Sequence, residues 1–119
     1  MKWLMLMVII CSSLFSDIIA VASDGDSFSS NISSKASRCN YYILIDENGK
    51  SLEVLQNPHK DVMRGASSKL IDMIQNKKVS HLIASSFGDK LTASLNSHNI
   101  KYTIYKGEIN TFIENVIKK

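Results

Sequence analysis

The sequence predicts an α/β domain built on a mixed five-stranded sheet, with its elements in the order β-β-β-α-β-α-β-α. Three observations carry that expectation. From Val79 to Tyr105, an apolar run, the Phe87-Gly88-Asp89 turn, about three helical turns and a second β-rich run form a strand-helix-strand unit. Two such strands lie parallel only when the helix crosses over them. Asn48-Gly49 between two β-rich runs is a hairpin signal that returns the chain antiparallel. Ile18 to Ser23 is apolar nearly throughout, the pattern of a central strand covered on both faces.

The first strand, Ile18–Ser23, stops at the turn residues Asp24-Gly25-Asp26. Ser27 to Ser37 is rich in serine and has no sustained period, so it reads as a long loop, a kind that is usually functional or mobile. Asn40–Asp46 is the second strand and Ser51–Gln56 the third, an edge strand with a wetter face, ended by Asn57-Pro58 because proline removes a ladder donor. Val62 to Asn76 carries Met63, Ala66, Leu70, Met73 and Ile74 at helical spacing. Gly65 interrupts its first turn, so either the helix begins there or something approaches the backbone closely. Val79–Ser85 is the fourth strand, and Asp89 caps a helix with Leu91 and Leu95 inward that Asn99 closes. After the fifth strand, Ile100–Tyr105, a last helix sets Ile109, Phe112, Ile113, Val116 and Ile117 on one stripe.

With 119 residues, the chain has room for a single domain with one core. Its formal charge of +3 comes from lysines spread along the chain rather than a basic stripe, which argues against a nucleic-acid partner. Residues 1–16 open with Met1-Lys2 and an apolar run from Trp3 to Ile10 that ends in the small cluster Cys11-Ser12-Ser13, the layout of a secretory signal. The run is too short to span a bilayer comfortably, so no stable membrane span is expected after processing. Cleavage before Asp17 leaves the domain 17–119 whole and the protein exported or periplasmic; the alternative is an amino-terminal extension of a cytoplasmic protein.

Ser33, Lys35, Arg38 and Arg64, with the backbone at Gly65, can gather where the serine-rich loop meets the first helix. Hydroxyls, cations and free N–H groups together favour an anion. Cys39, at the end of that loop, offers a thiolate for iron or zinc, and His59 is a second candidate ligand. Against metal binding, Cys39 has no spaced partner and reads rather as a small buried residue at the start of a strand. His81 reads as strand packing and His98 as a helix-end residue. Two-metal hydrolysis needs converging carboxylates, and neither the interior of the first strand, Ile19-Ala20-Val21-Ala22, nor the end of the fourth, Ala84-Ser85-Ser86, supplies one. No Gly-x-Ser-x-Gly elbow is present, so the chain reads as non-catalytic.

Ile19-Ala20-Val21-Ala22-Ser23-Asp24-Gly25, Ile32-Ser33 with Arg38-Cys39 and Tyr41-Tyr42, Asn57-Pro58, Gly65-Ala66, Phe87-Gly88 and Asn99-Ile100, in that order and spacing, resemble the dinitrogenase iron-molybdenum cofactor biosynthesis family, the NifX- and NafY-like carriers. The resemblance implies a ribonuclease H-like three-layer fold and a carrier that binds an iron-sulfur or iron-molybdenum type cluster, or a related anion, without turnover. It also implies a cofactor donor or acceptor protein as partner. Such proteins usually read Phe-Gly-Arg before the second strand, often with a histidine just ahead, where this chain has Lys35-Ala36-Ser37-Arg38. The alternative is therefore an exported protein-interaction domain of the same fold that has lost its cofactor.

Overall fold

The five strands form one sheet in the order β3-β2-β1-β4-β5, namely β1 Ile18–Ser23, β2 Tyr41–Asp46, β3 Ser51–Gln56, β4 His81–Ala84 and β5 Lys101–Ile104. The computed structural model describes residues 17–118. The signal-like segment 1–16, with Cys11, lies outside the described residues. β1 pairs antiparallel with β2, Ile18 opposite Asp46 through Ser23 opposite Tyr41, and parallel with β4, Val21 opposite Ile83. The β2–β3 hairpin is antiparallel and β4–β5 parallel, so the sheet is mixed as predicted.

Alternation along β1 sorts the core into two clusters. Ala20 and Ala22 face helices α1 (Ala66–Asn76) and α2 (Asp89–Ser97), whose Leu70, Ile71, Ile74, Leu91 and Leu95 are buried against Tyr42, Leu44, Leu82 and Ala84. Ile19 and Val21 face the opposite way, onto Ile43, Ile45, Ile83 and helix α3, which begins at Ile109–Phe112 and contributes Ile109, Phe112 and Ile113. Helices on both faces make the three layers of a ribonuclease H-like fold.

Three helix boundaries differ from the sequence expectation. α1 starts at Ala66, not Val62, because Gly65 sits at φ 80°, the left-handed region that a right-handed helix cannot include. A Cβ at Gly65 would meet nothing within 4 Å, so the glycine serves the turn and not a close approach. Met63, expected on the apolar stripe, precedes the helix and is 95% exposed. α2 is capped by Gly88, which leaves Asp89 in its first turn, where a carboxylate favours the helix dipole. α3 widens at Ile113–Ile117 into a π-helical turn, with Lys118 N–H bonded to Ile113 C=O at 2.9 Å; the extra residue swings Val116 off the stripe into solvent.

α1 and α2 end in the same device. Val79 N–H reaches Ile74 C=O and Ile100 N–H reaches Leu95 C=O, each at 2.9 Å, around Lys78 (φ 60°) and Asn99 (φ 58°) in the left-handed region. Each is a Schellman motif whose apolar contact joins the core. Asparagine adopts that conformation more readily than lysine, for which it is strained. Lys78→Gly is therefore expected to stabilise the protein by about 1 kcal/mol, read as a raised urea midpoint at unchanged slope.

His81 lies half-buried on β4, with Nε2 2.6 Å from Thr103 Oγ1. Burial and then Lys101 hold its imidazole below the ordinary 6.5, against a smaller pull from Asp17. A depressed histidine binds its proton more readily in the unfolded chain, so its contribution is complete above the unfolded value and is lost as the pH falls below it. The urea midpoint should drop between pH 7.5 and 5, and the drop should shrink in His81→Gln.

Candidate functional site

The serine-rich connection after β1 is tied down along its length. Ser23 bridges Ile32, Ile32 N–H bonds Gly107 C=O at 2.8 Å, and Ile109 N–H bonds Ser30 C=O at 3.0 Å, which seats the first half of the loop against the start of α3. Ser33 then inserts between the carboxyl ends of β1 and β4: its N–H bonds Ala22 C=O at 2.8 Å and its C=O accepts from Ser85 N–H at 2.9 Å. Its hydroxyl accepts Lys35 N–H at 3.0 Å and turns the chain outward. This long loop is an extension of the sheet and not a loose lid.

A buried polar clamp holds the second half. Tyr42 Oη donates to Ala36 C=O at 2.7 Å, and Asn57 Nδ2 donates to Cys39 C=O at 2.9 Å and Ser37 C=O at 3.3 Å. Asn57 Oδ1 accepts His59 N–H at 3.0 Å. Arg38 reaches across to the carbonyls of Val62 and, at 3.3 Å, Lys60. The loops 33–40 and 57–65 therefore form one rim.

Within that rim, a cavity of about 240 Å³ is lined by Lys35, Arg38 and Lys90 with Ser34, Ser37, Ser67 and Ser86. Arg38 and Lys90 are shared with a neighbouring cavity of about 290 Å³ that adds Met63, Arg64 and Gly65. Ser33, Lys35, Arg38 and Cys39 line a third of about 140 Å³ together with Asp24. α1 and α2 both begin at this rim, at Ala66 and Asp89, and the first turn of a helix leaves backbone N–H groups without an intrahelical partner. Among the described residues the one ion pair is Lys77–Glu53, so no carboxylate contact neutralises these cations.

Of the residues singled out from sequence, Ser33, Lys35, Arg38 and Cys39 come together, and Arg64 and Gly65 join them through Arg38. His59 does not: it lines a separate groove of about 460 Å³ between β3 and α1, with Tyr42, Leu55, Leu70 and Met73. Lys90, Ser67 and Ser86 were not singled out. A lone lysine or serine carries no periodic signal, and only their positions in the first turns of two helices and after β4 would have marked them.

Cys39 is 2% exposed and its Sγ–H donates to Tyr41 C=O at 3.1 Å. Burial, foremost, pushes its thiol up to about 11 against several hydrogen bonds, so near neutral pH it is a thiol and ligation would need deprotonation in an apolar setting. Burial raises the Tyr42 phenol likewise. Among the described residues no three His, Cys, Asp or Glu side chains are placed to hold a metal ion. The carboxyl ends of β1 and β4 carry Ser23, Ser85 and Ser86.

The family model described as dinitrogenase iron-molybdenum cofactor matches residues 17–119. The chain belongs to that family. Solved structures agree on the fold. The orange protein (ORP) from Desulfovibrio gigas, in its apo form, superposes with a TM-score of 0.74 at 17% identity over 82% of this chain and 84% of that one. A Thermotoga protein described as a candidate NifB protein of the DUF35 family gives 0.67 at 29% identity over 82% and 84%. No curated protein matches the chain. Family members are thus related to a chain whose cation-rich rim lies at the carboxyl ends of β1 and β4.

The state of Cys39 is open to direct measurement. At pH 8 the folded protein should leave Cys39 unlabelled by iodoacetamide and label it fully once unfolded, read by peptide mass spectrometry; labelling in the folded state would show an accessible thiolate.

Proposed function

We propose that this member of the dinitrogenase iron-molybdenum cofactor family is a non-catalytic carrier. Its cargo is an anionic iron-sulfur or iron-molybdenum type cluster, gripped by cations and backbone N–H groups. The observation that carries the reading is the convergence of Lys35, Arg38 and Lys90 on one cavity, with no ion pair to a carboxylate among the described residues. Cations and N–H groups in a half-enclosed cavity stabilise negative charge far more than in open water. An anionic cluster suits that lining, whereas a site that ligates iron through thiolate and imidazole finds little support: Cys39 is a buried thiol and none of the three histidines lines the cleft. The absence of carboxylates from the β1 interior and the end of β4 supports carriage over turnover. The partner of a carrier is a cofactor donor or acceptor protein.

A second reading, an exported interaction domain that has given up cargo, is favoured by one observation: Lys35-Ala36-Ser37 stands where relatives usually have an imidazole and Phe-Gly. Export itself is proposed on residues 1–16, with processing before Asp17. Cutting after Ala22 would remove most of β1, the strand on which both halves of the sheet are paired.

Anaerobic incubation of the full chain with iron-molybdenum cofactor, or with a reconstituted iron-sulfur cluster, should give a coloured, metal-containing protein. Lys35→Ala with Lys90→Ala should weaken uptake about tenfold or more, since each removes a charge-assisted contact, while Cys39→Ser should leave it within about twofold. A colourless, metal-free native protein overturns the carrier reading and leaves the second.

A further inference from the structure

We infer that the bend from Lys60 to Gly65 is a docking surface for a partner protein that presents an apolar pocket bordered by carboxylates. The inference builds on the carrier reading by naming the surface through which cargo would change hands. Met63 is the most exposed large apolar side chain among the described residues, at 95%. The backbone that displays it is held from below: Arg38 bonds the carbonyls of Lys60 and Val62, Val62 N–H bonds His59 C=O at 3.3 Å, and Lys60 Nζ donates to Asn40 Oδ1 at 3.2 Å. A thioether kept in water by a fixed backbone is unfavourable alone and is relieved by burial in a partner. Methionine and arginine are enriched in protein interfaces.

Charge specifies the partner. Lys60, Arg64 and Lys90 have no carboxylate contact among the described residues, although Asp61 and Asp89 adjoin two of them in the chain. Met63, Arg64 and Lys90 line one cavity, which meets the cargo cavity at Arg38 and Lys90. A protein seated on Met63 therefore covers the mouth of the cleft, and carboxylates at its rim meet cations that form no ion pair among the described residues. A nucleic acid would use the cations alone and would have no use for the thioether.

The test replaces Met63 by the photoreactive residue benzoylphenylalanine in the full chain, made in the cells that normally make it, and maps adducts by mass spectrometry after irradiation. The expected result is a protein adduct at an apolar peptide flanked by Asp or Glu, reduced at least tenfold by Lys60→Glu with Arg64→Glu. No adduct, an adduct within the chain or to nucleic acid, or one indifferent to charge reversal overturns the docking surface. Cluster uptake by Lys60→Glu alone, followed by absorbance, should equal that of the native chain. If the native chain takes up no cluster while the charge-sensitive adduct persists, the carrier reading fails and the docking surface stands.

Discussion

β1 must be covered on both faces and paired on both edges, and most of the molecule is arranged to meet that demand. Ala20, Val21, Ala22 and Ser23 have no solvent exposure, so the strand carries neither a wet face nor a free ladder edge. Its side chains set how each face is covered. The alanines leave room for two helices side by side, while Ile19 and Val21 supply bulk to the face that one short helix covers. Because β2 runs against β1 and β4 runs with it, the carboxyl ends of β1 and β4 open on one side of the sheet. Ligands of open α/β sheets bind outside such ends. The cleft stands there because the strand order leaves the loops no other place to gather.

What keeps those loops in place is polar, with Asn57 and Tyr42 buried and Arg38 half-buried. Asn57, Tyr42 and Arg38 spend their donors on backbone carbonyls of the opposing loop, and among the described residues no buried side-chain nitrogen or oxygen lacks a partner. Each such bond contributes modestly, but an unpaired member would cost more, so the network acts as a unit. Arg38 also lines three cavities, which makes it a brace as well as a cation. A rim assembled this way presents charge without rearranging, the condition under which fixed cations act most strongly on an anion.

The sheet was largely legible in the residues. β1 and β3 have the bounds expected and β2 starts one residue later, because two-sided burial, an Asn-Gly turn and a proline stop are local signals. The start of α1 was less legible: the spacing of Met63 and Ala66 mimics a helical stripe, and only the positive φ of Gly65 shows that the two belong to different structures. The π turn in α3 had no signature, since one extra residue in a turn leaves the composition unchanged. In the cleft, Lys35, Arg38 and Cys39 were visible because they share one loop. Lys90 reaches the same cavity through the fold alone, and His59, near in sequence to Arg64, faces another groove. The family resemblance of the sequence is matched by the family model over residues 17–119.

The hairpin turn at Gly49 has a second neighbour. A Cβ there would stand 2.7 Å from Ile113 Cγ2 and 3.5 Å from Ile117 Cγ2, so the β2–β3 turn is roofed by the π-helical end of α3. During synthesis on the ribosome, β1 to β3 emerge before α3, so Ile43 and Ile45 lack the cover of Ile109, Phe112 and Ile113 until residues 109–117 arrive. The nascent chain therefore cannot close over the second face of its sheet until that late helix has left the exit tunnel.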